Sequence, residues 1–387
     1  MKKKILIIHG HGGGAMGVGH MRAGIAIEEA ARVSPDLEVR MLDMLEYIDS
    51  FLERMFDMFY RQTIMNCPKL WAISYYLPDT KWFGKIWSKR QASLDIKHLK
   101  KEFVDTIKEF APDVVICPFW LPLEVISIYR EKGIIDPNAF RMCGVITDYY
   151  PHRFWIHPNI DRYFVANDLC RTRLIGEGID ATKIRITGIP ILKIFTVKDD
   201  RNAICAKMGL NPDDFILSIL GGGFGAGRIK KIFTKLLGLD LPVQVLVTTG
   251  RNKKLKSELE KITAKVRLKN MKAQVFGFID KIEDLYNISN LIVSKSGGIS
   301  ISEIMSMGCP MVIMDPIPGQ EEYNRDYLVQ NNAALFARNP KELGKILSSL
   351  IREPERLKKL AENVRRIARP NAAIDIVRES LAVEENS

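Results

Sequence analysis

The chain has 387 residues, 47% of them hydrophobic, a formal charge of +11 and six cysteines. That length exceeds one ordinary core and suits two domains of about 150 to 200 residues, while the charge suits a polyanion: nucleic acid, an anionic membrane face or a phosphate-bearing substrate. The scattered cysteines lack paired metal-ligand spacing, nothing resembles a signal peptide, and no apolar run nears the roughly 18 residues of a bilayer span, so a reducing cytosolic setting is expected.

MKKKILIIHG reads as a basic cap and a buried parallel strand, followed by a glycine-rich turn. Met21 to Val33 has helical periodicity, and LEVRMLDM reads as a second strand. Strand, glycine turn, helix, strand is the opening of an α/β domain with a parallel sheet. Further strands are expected at DVVICP, RMCGVITD, DRYFVAN and KIRITG.

One segment fits this scheme poorly. Tyr47 to Arg90 is crowded with aromatic residues, and between Ser50 and Lys100 there are nine Lys/Arg against four Asp/Glu. Trp71, Tyr75, Tyr76, Trp82, Phe83 and Trp87 suit an interfacial depth, with Lys81, Lys85, Lys89 and Arg90 on anionic headgroups. A helical insert whose aromatics fill core, and a partner interface, stay open beside that reading.

The pattern restarts after Lys198. DFILSILGGG, PVQVLVTTG, AQVFGFID, NLIVSKSGG, CPMVIMDP and AALFA read as a second series of strands, and PNAAIDIVRESLAV as a closing helix. The expectation is two facing Rossmann-like domains with parallel sheets, joined near residues 190 to 205. Residues 1–195 carry an aromatic and basic insert at about 47–100, residues 205–365 form the second domain, and the helix of 366–387 packs back on the first.

Glycines after a strand let backbone approach a ligand closely, and the next helix offers unpaired N–H groups to an anion. In HGHGGGAMGVGH, His20 stands where the helix begins. There a neutral imidazole can accept a proton from a hydroxyl, because a helix N-terminus discourages its protonation. His9 and His11 read as tethers of the loop, and a purely structural turn is the alternative.

The second loop, GGGFGAG, departs from a P-loop: Arg228 and Ile229 stand where Lys and Ser/Thr belong, which removes the magnesium-binding hydroxyl. Gly222 and Gly223 still suit a metal-free phosphate cradle, with Arg228 either adding charge to it or salt-bridged at the surface. In SKSGGISISEIMSMGCP, Ser296, Gly297 and Gly298 lie between a strand and a helix. Glu303 can there accept both hydroxyls of a ribose, or serve only as a charge near the helix N-terminus. DPIPGQEEYN carries Gln320 and Glu321 on a rigid turn at a strand end, an amide beside a carboxylate suited to gripping sugar hydroxyls, while Asn324 reads as a local brace.

Together, GFIDKIEDLYNISNLIVSKSGGISISEIMSMGCPMVIMDPIPGQEEYN, LGGGFGAG and VITDYYPHRFWIHP resemble the monogalactosyldiacylglycerol synthases and processive diacylglycerol glucosyltransferases, and more distantly the N-acetylglucosaminyltransferase that forms lipid II. The resemblance covers most of the chain and is strongest from about 215 to 330. It implies a GT-B type fold: a first domain that receives a lipid acceptor and a second that binds a UDP-sugar. It places Gly277, Phe278 and Ile279 against the base, Ser296 to Gly298 at the diphosphate, Glu303 at the ribose, and Gln320 with Glu321 at the donor sugar. His20 matches the histidine that closes the family's first glycine loop. Asp148 and His152 match its aspartate and histidine after the T-D strand end, with Trp155 and His157 alongside.

The sequence also departs from the family pattern. Ala15 to Gly19 interrupt a loop that is usually a compact G-G-G-H, and Ser296-Gly-Gly replaces the more familiar Ala-Gly-Pro. Arg228 stands where the helix after the second loop usually begins with proline.

The implied reaction is inverting transfer of a hexose to a lipid hydroxyl, most simply that of diacylglycerol, with His20 or Asp148 as base. Helix dipoles and Arg228 or Lys295 would meet the leaving-group charge without a cofactor or an obligatory metal. Partners implied are a UDP-sugar, a lipid acceptor and an anionic membrane surface on the cytoplasmic side, with no nucleic acid. An isoprenoid-linked or otherwise unusual lipid acceptor, a UDP-sugar epimerase, and a non-catalytic membrane- or nucleic-acid-binding module are the competing readings.

Overall fold

The computed structural model describes residues 2–11, 17–48, 58, 62–63, 67–80, 99–157, 159–222 and 228–382. They divide into two compact units. One comprises Met1–Lys193, Pro318–Gln320 and Arg369–Ser387; the other comprises Ile194–Ile317 and Glu321–Ala368.

The first unit is a six-stranded, all-parallel sheet in the order β2-β1-β3-β4-β5-β6. Its strands are β1 (Lys3–His9), β2 (Leu37–Asp43), β3 (Val114–Cys117), β4 (Arg141–Val145), β5 (Arg162–Val165) and β6 (Ile184–Ile186). Parallel strands covered on both faces read as unbroken apolar runs, and Ile5–Ile8 and Val114–Cys117 are buried throughout. The helices are α1 (Val18–Arg32), α2 (Pro68–Tyr76), α3 (Glu102–Phe110), α4 (Trp120–Glu131) and α5 (Asp168–Gly176).

The chain's last described helix (Ala372–Leu381) also belongs to this unit, and packs on α1 and β3. Its Ile376 and Val377 join Ile5, Ile7, Ile27, Ile116 and Phe164 in one core. Each fully buried aliphatic side chain there contributes on the order of 1.5–3 kcal/mol. Arginines at the starts of two strands complete the docking. Arg141 Nη1 donates to the carbonyls of Ser380 (2.9 Å) and Ala382 (2.5 Å), and Arg162 Nη1 to that of Glu379. These satisfy the carbonyls that a helix end leaves unpaired.

The second unit repeats the architecture with order β12-β11-β10-β7-β8-β9. Its strands are β7 (Phe215–Leu220), β8 (Val243–Thr248), β9 (Lys272–Phe276), β10 (Leu291–Ser294), β11 (Met311–Ile313) and β12 (Ala334–Phe336). Its helices are α6 (Arg201–Met208), α7 (Ile229–Leu237), α8 (Lys253–Lys265), α9 (Ile282–Ile288), α10 (Gly298–Ser306), α11 (Gln320–Gln330, whose first residue falls in the first unit), α12 (Pro340–Arg352) and α13 (Pro354–Ile367); the last described helix is α14. Leu217, Val245, Val247, Val293 and Val312 form the sheet's share of a core completed by Phe233 of α7 and Leu347 of α12.

Among the described residues no helix is long and apolar enough to cross a membrane. Trp82, Phe83, Trp87, Lys81, Lys85, Lys89 and Arg90 of the expected insert lie outside the described residues, as does Gly223.

Candidate active site

In an open parallel sheet, ligands gather outside the carboxyl ends of the strands where the strand order reverses. In the first unit that point lies between β1 and β3. Three strand exits meet there: β1 leads through the glycine loop into α1, β3 into Pro118 and Phe119, and β4 into Ile146 and Thr147.

His20 is the third residue of α1. Its entry depends on Gly17, whose φ is +82° and whose Cβ, if it had one, would lie 1.9 Å from the carbonyl oxygen of Gly10. The ring's Nδ1 lies 2.8 Å from the Pro118 carbonyl oxygen and 3.1 Å from Thr147 Oγ1. A carbonyl can only accept, so the neutral ring carries its proton on Nδ1 and presents a lone pair at Nε2. Phe119 and Trp155 stand beside the ring, with centroids 5.0 and 6.2 Å away. Burial lowers its pKa to about 4 against the opposing effect of the Pro118 hydrogen bond, and His9 adds slightly to the lowering. The imidazole is therefore neutral at physiological pH.

Asp43, at the end of β2, braces the approach. Its carboxylate accepts from the backbone N–H of His11 (3.0 and 3.2 Å) and of Leu45 (3.0 Å), and lies 3.9 Å from His9 Nδ1. Asp148 is half-buried and directly follows Thr147.

His152 has both ring nitrogens engaged. Nδ1 accepts from the Phe154 N–H (3.2 Å), capping the 3-10 helix Arg153–Trp155, and Nε2 donates to the Tyr75 carbonyl (2.9 Å). Tyr75 and Phe154 pack on its ring at 4.6 and 4.2 Å. His157 donates through Nε2 to the Phe154 carbonyl at 2.9 Å, and burial lowers its pKa to about 4. These two imidazoles brace the segment that carries Trp155.

In the second unit the order reverses between β10 and β7, and both strands exit into glycines. After β7, Gly222 takes a left-handed φ of +62°. After β10, Ser296 is fully buried and its Oγ donates to the Glu321 carbonyl at 2.6 Å, while Asn324 Nδ2 donates to the Ser296 carbonyl at 2.9 Å. Two residues of α11 thus hold the loop that opens α10. The N-cap of α10 is Gly297, which has no capping side chain, and the first turn of α10 carries no acid. A helix start of this kind leaves N–H groups that can face an anion.

Glu303 is buried on α10. Glu321 Oε2 accepts from the Ile317 N–H at 2.8 Å, closing the proline turn on itself. Among the described residues the buried Oε1 of Gln320 has no hydrogen-bond partner. Gly277, Phe278 and Ile279 follow β9, three strand spacings from β10 or roughly 14 Å across the sheet. Phe278 is 55% exposed, with the Arg251 guanidinium 5.3 Å from its ring centroid.

Arg228 takes the second of its two expected roles. Its guanidinium pairs through Nε (2.7 Å) and Nη2 with Asp315 Oδ1, and its backbone N–H donates to Oδ2 at 3.0 Å. That pairing neutralises the arginine and ties the start of α7 to the residue after Met314. Asp315 itself sits at φ +49°. Sequence reasoning missed Asp315, Pro118 and Thr147. The T-D pair at the exit of β4 drew attention to Asp148, and its first member is the residue found against His20.

Residues 20–191 match the family described as monogalactosyldiacylglycerol (MGDG) synthase, and residues 225–367 match glycosyl transferases group 1. A processive diacylglycerol beta-glucosyltransferase of Bacillus licheniformis is 31% identical over 317 residues, which cover 81% of this chain and 79% of that protein. The chain belongs to this family of glycosyltransferases.

Solved structures show the same GT-B fold for this glycosyltransferase. MurG of Acinetobacter baumannii aligns with a TM-score of 0.62 at 15% identity, covering 98% of this chain and 100% of that one. A UDP-GlcNAc 2-epimerase from Neisseria meningitidis bound to UDP-GlcNAc aligns at 0.60 and 16% identity, covering 98% and 99%. At such identities the likeness speaks for the fold alone. The MGDG synthase match begins at His20 itself, and the group 1 match takes in every helix from α7 to α13.

Proposed function

We propose that this glycosyltransferase moves a hexose from a UDP-sugar to the free hydroxyl of diacylglycerol, with inversion at the anomeric carbon. The observation that carries this reading is the neutral His20, held at the switch point with its Nε2 lone pair free of the Pro118 bond. As the acceptor oxygen forms its bond to the anomeric carbon, Nε2 takes the hydroxyl proton. The bond from that carbon to the diphosphate oxygen breaks on the opposite face, and UDP leaves with the electron pair. Asp148 is the rival base, and His152 acts as a brace because both its nitrogens are engaged.

We assign residues 1–195 to the acceptor and 205–365 to the donor, with 366–387 completing the acceptor domain. The bare N-terminus of α10, with Ser296, Gly297 and Gly298, suits the diphosphate, and Gly222 and Gly223 the approach to it. Glu303 suits the ribose, and Gln320 and Glu321 the sugar hydroxyls. Gly277 to Ile279 suit the base. The half-buried Lys295 beside Ser296 is the better source of positive charge for the leaving group, since Asp315 already neutralises Arg228. The family membership and the names of the relatives support diacylglycerol as acceptor. On α2, Leu70, Ile73 and the following Leu77 are 49, 60 and 43% exposed, which favours peripheral contact of the 47–100 insert with the cytoplasmic face of an anionic membrane.

The test is UDP release and product mass from UDP-glucose and from UDP-galactose, each with and without vesicles containing diacylglycerol. A new glycolipid formed only with vesicles is expected. Because the same fold also serves an epimerase, conversion of the sugar nucleotide without any lipid would contradict the proposal.

A further inference from the structure

His20 is seated by two oxygen atoms, and neither carries a charge. The Pro118 carbonyl faces Nδ1 at 2.8 Å and Thr147 Oγ1 at 3.1 Å. The geometry points to Thr147 as the positioning residue of the base: with Pro118 it forms an uncharged, two-point seat for the His20 Nδ1–H. The inference rests on His20 being the base.

The seat is rigid. Thr147 is 4% exposed, and its predecessor Ile146 donates its N–H to the Phe164 carbonyl at 3.0 Å, continuing the β4–β5 ladder past the strand end. Pro118 is fixed at the exit of β3. A single acceptor would let the imidazole pivot about its hydrogen bond. Two acceptors from neighbouring strands share one N–H and set the plane of the ring, and with it the direction of the Nε2 lone pair.

The lack of charge matters as much as the geometry. A carboxylate on Nδ1–H would favour the imidazolium and raise the pKa. A carbonyl and a hydroxyl leave burial in control, so the ring stays deprotonated well below neutrality. When Nε2 takes a proton, the bonds from Nδ1–H to both oxygens become charge-assisted and strengthen. The seat therefore offsets part of the cost that burial imposes on the protonated ring. The groups beside the ring are His9 at the end of β1, Phe119 after β3 and Trp155 in the 3-10 helix. Of these, His9 lowers the pKa of His20.

The test compares wild type, Thr147→Val, Thr147→Ser and His20→Ala as full-length chains. Turnover is measured against pH, and the His20 ring nitrogens are observed by 15N NMR in histidine-labelled protein. Thr147→Val should lower kcat about tenfold, the cost of one lost hydrogen bond, with KM for the sugar nucleotide unchanged. It should also move the His20 ring-nitrogen shifts, and Thr147→Ser should restore both rate and shifts. Unchanged shifts in Thr147→Val would overturn the seat whatever His20 does in catalysis. Turnover surviving in His20→Ala would overturn the base assignment, and with it Thr147 as positioning residue, even if the shifts move.

Discussion

The two units share one architecture, a six-stranded parallel sheet with its candidate site at the point of reversal, yet they furnish that site in opposite ways. The first uses side chains: an imidazole, a hydroxyl and aromatic walls around it. The second offers backbone, a left-handed glycine and an uncapped helix start, and several of its side chains hold that backbone still. Ser296, Asn324 and Glu321 each bond to main chain there. All six histidines lie within the first 193 residues. Under the proposed function, the contrast matches the chemistry assigned to each site. Proton transfer needs a group that titrates, whereas a diphosphate needs only fixed N–H dipoles and close approach.

Gly17→Ala is the most severe way to sharpen this contrast, because the added Cβ would fall 1.9 Å from the Gly10 carbonyl at a left-handed φ. The start of α1 must shift, and a displacement of about 1 Å of His20 is expected to cost about 100-fold in kcat. UDP affinity, measured by calorimetry, should stay within about twofold. Glu303→Gln reverses the pattern. It should weaken UDP binding about 10-fold or more while leaving the His20 pH profile in place, and an unchanged Kd would remove Glu303 from the ribose.

Acid should also separate the units. In the folded chain His20 and His157 titrate near 4, below the ordinary 6.5, and burial lowers His9 and His152 as well. Between those values the unfolded chain binds more protons, so stability falls as pH drops from about 6.5 toward 4. Hydrogen exchange corrected for its intrinsic rate should show Ile5–Ile8 losing protection between pH 7 and 4.5, by roughly 50-fold for each histidine held near 4. Ile216–Ile219, in a unit without histidine, should hold theirs. Equal losses in both would mean that carboxylates govern the acid response.

The strands were legible because parallel sheets leave long apolar runs such as VVIC and LIVS between turn residues. The start of α1 was less so: the helix begins at Val18, ahead of the expected Met21, because the left-handed Gly17 lets it start within the glycine loop. His20 was legible as a polar residue at a glycine-loop exit. Its seat was not, since a backbone carbonyl has no signature and a threonine after a strand is commonplace. Distance hid the rest. Arg228 meets Asp315 from 87 residues away, and His152 meets the Tyr75 carbonyl from 77, so only the folded chain decides that one is paired and the other braced.

The most direct test of the division of labour is His20→Ala, assayed at once for UDP binding and for UDP-hexose-dependent glycolipid formation on diacylglycerol vesicles. A base supplies roughly 100- to 10,000-fold, so glycolipid formation should fall by about that factor while the Kd for UDP stays unchanged. Glycolipid formed at the wild-type rate by the variant would contradict the account.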